Sequence, residues 1–398
     1  MDGSARAGAP LVILGAGYAG LSVAEEVRRR SRGSIPVTLV DRHPVHVLRT
    51  ELYQLGEIAS AGEDLARWLV PLAKVFDRSS VALRQGTDDA IDLAGRSVRV
   101  DGTPLPFGDL AICLGNVASY YGVPGAAENT SSVYRLSAAQ RAAAAVREIE
   151  RASSGLPGEQ RPRIVVVGGG STGTELAAEI ATTDWASILG QPVRPPDVFL
   201  LTGSLPFLAG FPERVIDLAR QTLRRAGVTI VHALNVERVE PHRVHLTDGT
   251  VLACDLAIWC AGLEAPRLVR ELAVPHGRGG RLAVGPTLEV PGQPGVFAVG
   301  DVIELRDPET GVLVPSTAQA AMSEARTAAR NVVARRAGRP LEPYRYREHG
   351  ILVALGVRRA AGRVGPLTLW GNPARFLKRV VEREYARSAR RGEPSRLL

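Results

Sequence analysis

Cysteine, methionine and aromatic residues are scarce in this chain of 398 residues, with three Cys, two Met, and Phe, Trp and Tyr together at 5%. Cys113, Cys254 and Cys260 form no CxxC pair and no His/Cys cluster, which argues against zinc ribbons, iron–sulfur centres, dithiol redox centres and a disulfide framework. The cysteines therefore read as packing residues. The seven histidines show no ligand spacing, so no metal site is expected, and His43 and His46 read as structural or solvated. Nowhere do 18 apolar residues run together, which excludes an ordinary membrane-spanning helix. The opening residues lack a basic stretch followed by an apolar run, so no secretory signal is visible and a reducing cytoplasm is the default compartment. Basic charge is not spread along the chain either. Residues 371–398 carry eight basic side chains against three acidic ones, more than half of the net charge of +8. A nucleic-acid binder usually spreads such charge over a folded face with aromatics interleaved. A basic terminal appendage fits a membrane surface or plain solvation instead, and no nucleic-acid partner is expected.

What remains is an ordinary globular composition, 45% hydrophobic and 23% charged, long enough for two or three domains. The apolar run Leu11-Val12-Ile13-Leu14 leads into Gly15-Ala16-Gly17-Tyr18-Ala19-Gly20, then an amphipathic helical stretch, then Val37-Thr38-Leu39-Val40-Asp41. Strand, GxGxxG, helix, strand and acid in this order form a dinucleotide fingerprint. Gly15 permits the tight turn, Gly17 lets a pyrophosphate approach, and Gly20 lets helix and strand pack closely. The free N–H groups at the helix start hold the pyrophosphate, and Asp41, 21 residues beyond Gly20, reaches ribose hydroxyls. The unit recurs about 150 residues later, as Arg163–Val167, Gly168-Gly169-Gly170-Ser171-Thr172-Gly173, a helix through Ile180, and a strand at Asp197–Leu201. Each unit closes on another strand ending in glycine, Gly115 and Gly262, and a third such segment ends at Gly300-Asp301. Two cradles in one chain suggest a tightly bound flavin dinucleotide and an exchangeable nicotinamide dinucleotide. The expected fold is α/β, with two Rossmann-like domains plus a small C-terminal region. The family resemblance set out next implies its parts: an FAD-binding domain over 1–115 and 285–340, an NAD(P)H-binding domain over 116–284, and a C-terminal region over 341–398 with a basic amphipathic tail.

These residues in this order resemble the pyridine nucleotide–disulfide reductases and, within them, the type II NADH dehydrogenases, over residues 10 to about 370. Leu52-Tyr53-Gln54 and Ala318-Gln319 carry the resemblance to the quinone-reducing branch. The resemblance implies FAD across Gly15, Gly17 and Gly20, with Asp41 on the adenosine ribose and Arg42 and Gly115 also at the cofactor. It implies Asp301 on the ribityl chain, Gly300 beside it, and the helix start at Ala318 facing the flavin pyrimidine edge. NADH or NADPH would use Gly168, Gly170 and Gly173, with Gly262 leaving room for it. Glu175 would lie near the nicotinamide, although it also reads as an N-terminal helix acid, and Gln319 would line the quinone pocket. The implied reaction passes hydride from NAD(P)H to the flavin and two electrons to a quinone or other small acceptor. Two alternatives stay open: a soluble flavoprotein reductase of a metabolite or electron carrier, and a non-catalytic FAD-binding redox sensor.

The sequence departs from the family pattern in several places. The second strand of the nicotinamide domain ends Leu201-Thr202-Gly203-Ser204 without the usual acid, so the chain is expected to accept both coenzymes. The polar pair after Gln319, often Gln-Gln in the family, reads Ser323-Glu324. The disulfide reductases' CxxxxC is missing after Asp41. In the tail, Phe376, Leu377, Val380, Val381 and Tyr385 share one helical face opposite Arg and Lys. That pattern favours an interfacial helix on anionic lipid, at the inner face of the cell membrane. The competing reading is a helix docked on its own domain or on a second subunit of a homodimer.

Overall fold

The structure is a computed structural model that describes residues 9–77, 79–154, 160–203, 205–393 and 395. Leu11–Leu14 has no polar residue, and all four side chains are buried, as a central strand covered on both faces requires. It pairs in parallel with Val37–Asp41 on one side and Asp109–Ile112 on the other. Val81–Gln85 and Val296–Ala298 complete a five-stranded parallel sheet. The chain thus leaves this sheet after residue 112 and returns to it at residue 296.

Helix Tyr18–Ser31 starts at Gly17 and ends with Arg28, Arg29 and Arg30 in its last turn, where cations suit the negative end of the helix. Helix Ala318–Arg336 crosses it closely. That approach depends on the buried, small Ala320, Ala321, Ala325, Ala328 and Ala329.

The second unit repeats the first. A four-stranded parallel sheet runs Val228–His232, Asp197–Thr202, Arg163–Val167, Leu256–Trp259, with helix Ser171–Thr182 following its central strand. Each unit inserts a three-stranded antiparallel sheet, over Asp88–Pro106 ahead of strand Asp109–Ile112 in the first and over Val236–Ala253 ahead of strand Leu256–Trp259 in the second. The segments leaving Gly115 and Gly262 pair with each other, Val117–Ala118 against Leu263–Glu264, and tie the two units together. Trp259 adds an Nε1–H donated to the Ser119 carbonyl across that junction at 2.8 Å.

The β-like runs after Pro340 are a three-stranded antiparallel sheet, Ile351–Ala354, Ala360–Val364 and Leu367–Gly371, followed by helix Asn372–Arg391. Pro373 sits in the first turn of that helix, and Gly392 ends it in the left-handed conformation. Among the described residues no helix is long and apolar enough to cross a membrane.

Candidate dinucleotide-binding site

The two glycine turns superimpose in their physical logic. Gly15 and Gly168 have φ of +93° and +118°, and a Cβ on either would lie 2.6 Å from the carbonyl oxygen of Cys113 or Cys260. A Cβ on Gly20 would collide with the Gly15 carbonyl, and one on Gly173 with the Gly168 carbonyl. The middle glycines differ from these: nothing lies within 4 Å of a Cβ built on Gly17 or Gly170. Both also cap a helix with no side-chain hydrogen bond and no acid in its first turn. Each helix therefore presents unsatisfied N–H donors and a positive dipole end to open space, which is what an anionic pyrophosphate needs.

Asp41 ends the second strand and is bonded to the first turn, accepting from the Ala16 N–H at 2.7 Å and the His43 N–H at 2.8 Å. Its remaining lone pairs are those available to ribose. Arg42 beside it is exposed, with its carbonyl accepting from Gln85.

Gly300 has φ of +82° and packs against Ala19 in the first helix, and its N–H donates to Glu324 Oε2 at 2.7 Å. Asp301 accepts from Asn116 Nδ2 at 2.7 Å, and Asn116 Oδ1 in turn accepts from Arg49 at 3.1 Å. Burial raises the Asp301 carboxyl, and Arg49, Arg281 and the Asn116 bond restrain the rise. Arg49 also abuts Gly115, whose added Cβ would lie 3.3 Å from its guanidinium. Thr317 caps helix Ala318–Arg336 by accepting from Ala320 N–H at 3.1 Å, which leaves the amides of Ala318 and Gln319 at the open helix end. The first turn, the Gly300-Asp301 turn and this helix start thus converge, and their donors fit an elongated dinucleotide.

Glu175 is buried on helix Ser171–Thr182, and its carboxylate is not spent on capping that helix. Oε1 accepts from Ala354 N–H at 2.9 Å and pairs with Lys378 Nζ at 3.1 Å. Burial raises the Glu175 carboxyl, with Lys378 pulling it back. Burial would lower Lys378, but Glu175 and Glu382 more than offset it and keep the ammonium charged. Arg375 is buried too and donates to the Tyr53 hydroxyl at 2.9 Å, while Lys378 lies over the Tyr53 ring.

The C-terminal helix also reaches the first turn. The Ala16 carbonyl can only accept, so His46 carries its proton on Nδ1 and donates it there at 2.9 Å. Nε2 then accepts from the Tyr385 hydroxyl at 2.9 Å. Tyr385 stacks on Tyr18 with ring centroids 4.6 Å apart. Burial lowers the His46 pKa to about 4, so the ring is neutral at pH 7. His43 is exposed.

These contacts fit the second of the two readings of the tail, a helix docked on its own domain. Its helix docks on its own chain through Arg375, Lys378, Tyr385 and Ala389, a stripe that hydropathy scores as largely solvated. Of the apolar face expected to be one surface, Tyr385 is buried and Phe376 is 70% exposed, with Leu377, Val380 and Val381 between. The space that the resemblance implies over Gly262 is taken by the ring of Tyr121, itself 69% exposed, which an added Cβ would strike. Asn116, Arg49, Lys378, Arg375 and Tyr121 carried no sequence signal for these roles, because each acts through a partner far away in the chain.

At the second strand end, Thr202 packs against Gly169, and its hydroxyl lies 3.2 Å from both the Val231 carbonyl and His232 Nδ1. Ser204 lies outside the described residues. Cys113 lies under the first turn and Cys260 under the second, so they form no pair. Burial pushes both thiols up, Cys260 to about 12.

The family model for pyridine nucleotide-disulphide oxidoreductases matches residues 9–325. The chain belongs to that family. Demethylphylloquinone reductase NdbB of Synechocystis is 30% identical over 93% of this chain and 90% of its own length. The type II NADH:quinone oxidoreductase Ndh of Mycobacterium tuberculosis is 30% identical over 94% of this chain and 84% of its own. These relatives put the chain in the type II NADH dehydrogenase branch of the family. NDH2 from Plasmodium falciparum, solved in complex with NADH, has the same fold, with a TM-score of 0.80 at 15% identity over 96% of each chain. So does the sulfide:quinone oxidoreductase of Aquifex aeolicus, with a TM-score of 0.80 at 18% identity over 97% of this chain and 92% of its own.

Proposed function

We propose that the chain is an FAD-dependent NAD(P)H:quinone oxidoreductase. The observation that carries this reading is the pair of glycine turns, each opening an uncapped helix N-terminus onto free space, in a chain 30% identical to quinone-reducing relatives over nearly its full length. Gly15, Gly17, Gly20, Asp41, Arg42, Gly115, Gly300, Asp301 and Ala318 hold FAD, in a unit made of 1–115 and 285–340. Gly168, Gly170 and Gly173 hold the nicotinamide coenzyme in a unit spanning 116–284, with Gly262 open to it once the Tyr121 ring swings away, and 341–398 brace both. Bound FAD supplies the ring that takes hydride from the coenzyme and returns two electrons to the quinone. The protein's own part is positioning and charge. The open helix end at Ala318-Gln319 stabilises negative charge next to it, Gln319 lines the acceptor pocket, and Glu175 with Lys378 holds a proton in a buried pair at the nicotinamide side.

The holoprotein is expected to oxidise NADH only as fast as a short-chain quinone is supplied. NADH consumption that ignores the quinone and yields hydrogen peroxide instead would contradict the reading. Thr202 at the second strand end offers neither a carboxylate for a ribose 2′-OH nor repulsion toward a 2′-phosphate. The kcat/KM values for NADH and NADPH are therefore expected within about a hundredfold of each other, and Thr202→Glu is expected to shift the ratio toward NADH. An unchanged ratio would remove Thr202 from coenzyme choice.

The protein acts in the cytoplasm or at the inner membrane face. Exposed Leu367, Trp370 and Phe376, with Arg383, Arg387 and Arg390 also exposed, support contact with anionic lipid. Co-sedimentation with anionic but not zwitterionic vesicles is the expected result. Equal partitioning would leave the protein off the membrane.

A further inference from the structure

We infer that His232 reads the 2′ position of the nicotinamide coenzyme, accepting from the ribose hydroxyl of NADH when neutral and binding the 2′-phosphate of NADPH when protonated. The inference rests on the reading of the second cradle as the nicotinamide site, and it names the group that chooses between the coenzymes there.

Strand register locates the position. Leu14 faces Val40 in the first sheet and Val167 faces Leu201 in the second, and a cradle glycine follows Leu14 and Val167 alike. Thr202 therefore stands where Asp41 stands, without its charge. The neighbouring strand sets Gln85 beside Asp41 and His232 beside Thr202. In the first unit the acid can serve ribose, and the Gln85 amide donates to the Arg42 carbonyl at 3.3 Å. In the second unit His232 brings the titratable group to that strand end.

Hydrogen bonding fixes which ring nitrogen is available. The Thr202 hydroxyl donates to the Val231 carbonyl at 3.2 Å, so its oxygen accepts from His232 Nδ1–H, also at 3.2 Å. Thr202 is buried and packs against Gly169 of the turn, so this bond holds the imidazole from the protein side. Nε2 lies on the far side of an exposed ring, where it meets the ligand. Neutral, Nε2 is an acceptor and replaces the missing carboxylate for a 2′-OH. Protonated, it is a charged donor, and the bond to Thr202 is kept because the charged ring donates from both nitrogens. One ring thus serves both coenzymes without rearranging its support.

The surroundings set the balance. Arg220 and Arg224 approach from helix Glu213–Arg225, Arg220 paired with Asp217 at 2.8 Å and Arg224 exposed. Helix Ser171–Thr182 also packs on this strand, but its Glu175 pairs with Lys378 and its Glu179 lies near Arg375 and Arg379, both toward the C-terminal helix. Burial, with the two arginines adding to it, holds His232 below its ordinary value, so the ring of the free protein is neutral at neutral pH. A 2′-phosphate reverses the sign. It draws a proton onto Nε2, and the arginines that repel that proton attract the phosphate. NADPH binding is therefore coupled to proton uptake, and NADH binding is not.

Isothermal titration of the FAD-loaded full chain with NADP⁺ and with NAD⁺, in buffers of different ionisation enthalpy at about pH 7.5, tests this. The heat of NADP⁺ binding is expected to vary with the buffer, as proton uptake requires, and the heat of NAD⁺ binding is not. A phosphate monoester gives up its second proton near a pKa of about 6, so at this pH the uptake belongs to the protein. His232→Gln keeps a neutral hydrogen-bonding side chain; it is expected to lose the uptake and to weaken NADP⁺ at least about fivefold more than NAD⁺. His232→Arg carries a fixed charge and is expected to favour NADP⁺ with no uptake. NADP⁺ binding that takes up no proton, or the same uptake in His232→Gln, would overturn the inference and leave the nicotinamide site in place. Binding of neither coenzyme would overturn it together with the reading of the second cradle.

Discussion

Glu324 sits directly beneath the Gly300-Asp301 turn, where the family often carries an amide. Burial, with Asp301 adding to it and the Gly300 N–H restraining it, raises this carboxyl from its ordinary 4.5 to about 8. Across that window the folded protein keeps a proton that the unfolded chain has lost. The stabilisation is therefore complete below the lower value and fades as pH rises through the upper one. Glu324→Gln retains an acceptor for Gly300 and does not titrate. The variant is expected to melt higher than the parent at about pH 9 and close to it at about pH 5; a difference in Tm that is the same at both would contradict the assignment. Tyr121 is a second single-residue lever. Because its ring covers Gly262, Tyr121→Ala is expected to lower the KM for NADH severalfold with kcat nearly unchanged, in steady-state kinetics. A raised KM would mean that the ring holds the coenzyme instead of excluding it.

At the scale of elements, the C-terminal helix joins parts that the chain order separates. Tyr385 and His46 tie it to the first glycine turn, and Lys378 ties it to the helix after the second. Tyr385→Phe leaves His46 Nε2 buried without a donor, a cost of roughly 1–3 kcal/mol. The variant is expected to release FAD faster, read as the rise in fluorescence of the freed cofactor, whereas Phe376→Ala on the exposed side changes nothing. Equal release rates for Tyr385→Phe and the parent would show that the contact is only packing. This helix was the least legible part of the sequence. Its inward stripe at 375, 378, 382, 385 and 389, buried or half-buried, has regular helical spacing but is largely polar, and hydropathy assigns such side chains to water. Only partners more than 170 residues away, Glu175 and Tyr53, make burial of Lys378 and Arg375 favourable.

Over the whole molecule, the parts governed by local geometry were the readable ones. A glycine that would otherwise strike a backbone carbonyl leaves a mark at fixed spacing, and the cradles carry it at 15 and 20 and at 168 and 173, with the open glycines 17 and 170 between. The apolar strands feeding them are continuous because both sheet faces are covered. The strand at residues 296–298 was readable from the same strand-then-glycine pattern, but its place in the first sheet was not. Pairing across the molecule was not readable, as with Val117–Ala118 against Leu263–Glu264 or Asn116 against Asp301, since short polar segments have no periodicity to betray a partner.

The central claim is that these two cradles serve one flow of electrons through a shared chain. It is tested most directly by adding NADH, without oxygen, to the purified yellow protein and then a short-chain quinone. The account predicts that the visible flavin band bleaches promptly with NADH and returns with the quinone. A protein that binds no flavin, or whose flavin spectrum NADH leaves unchanged, would contradict it.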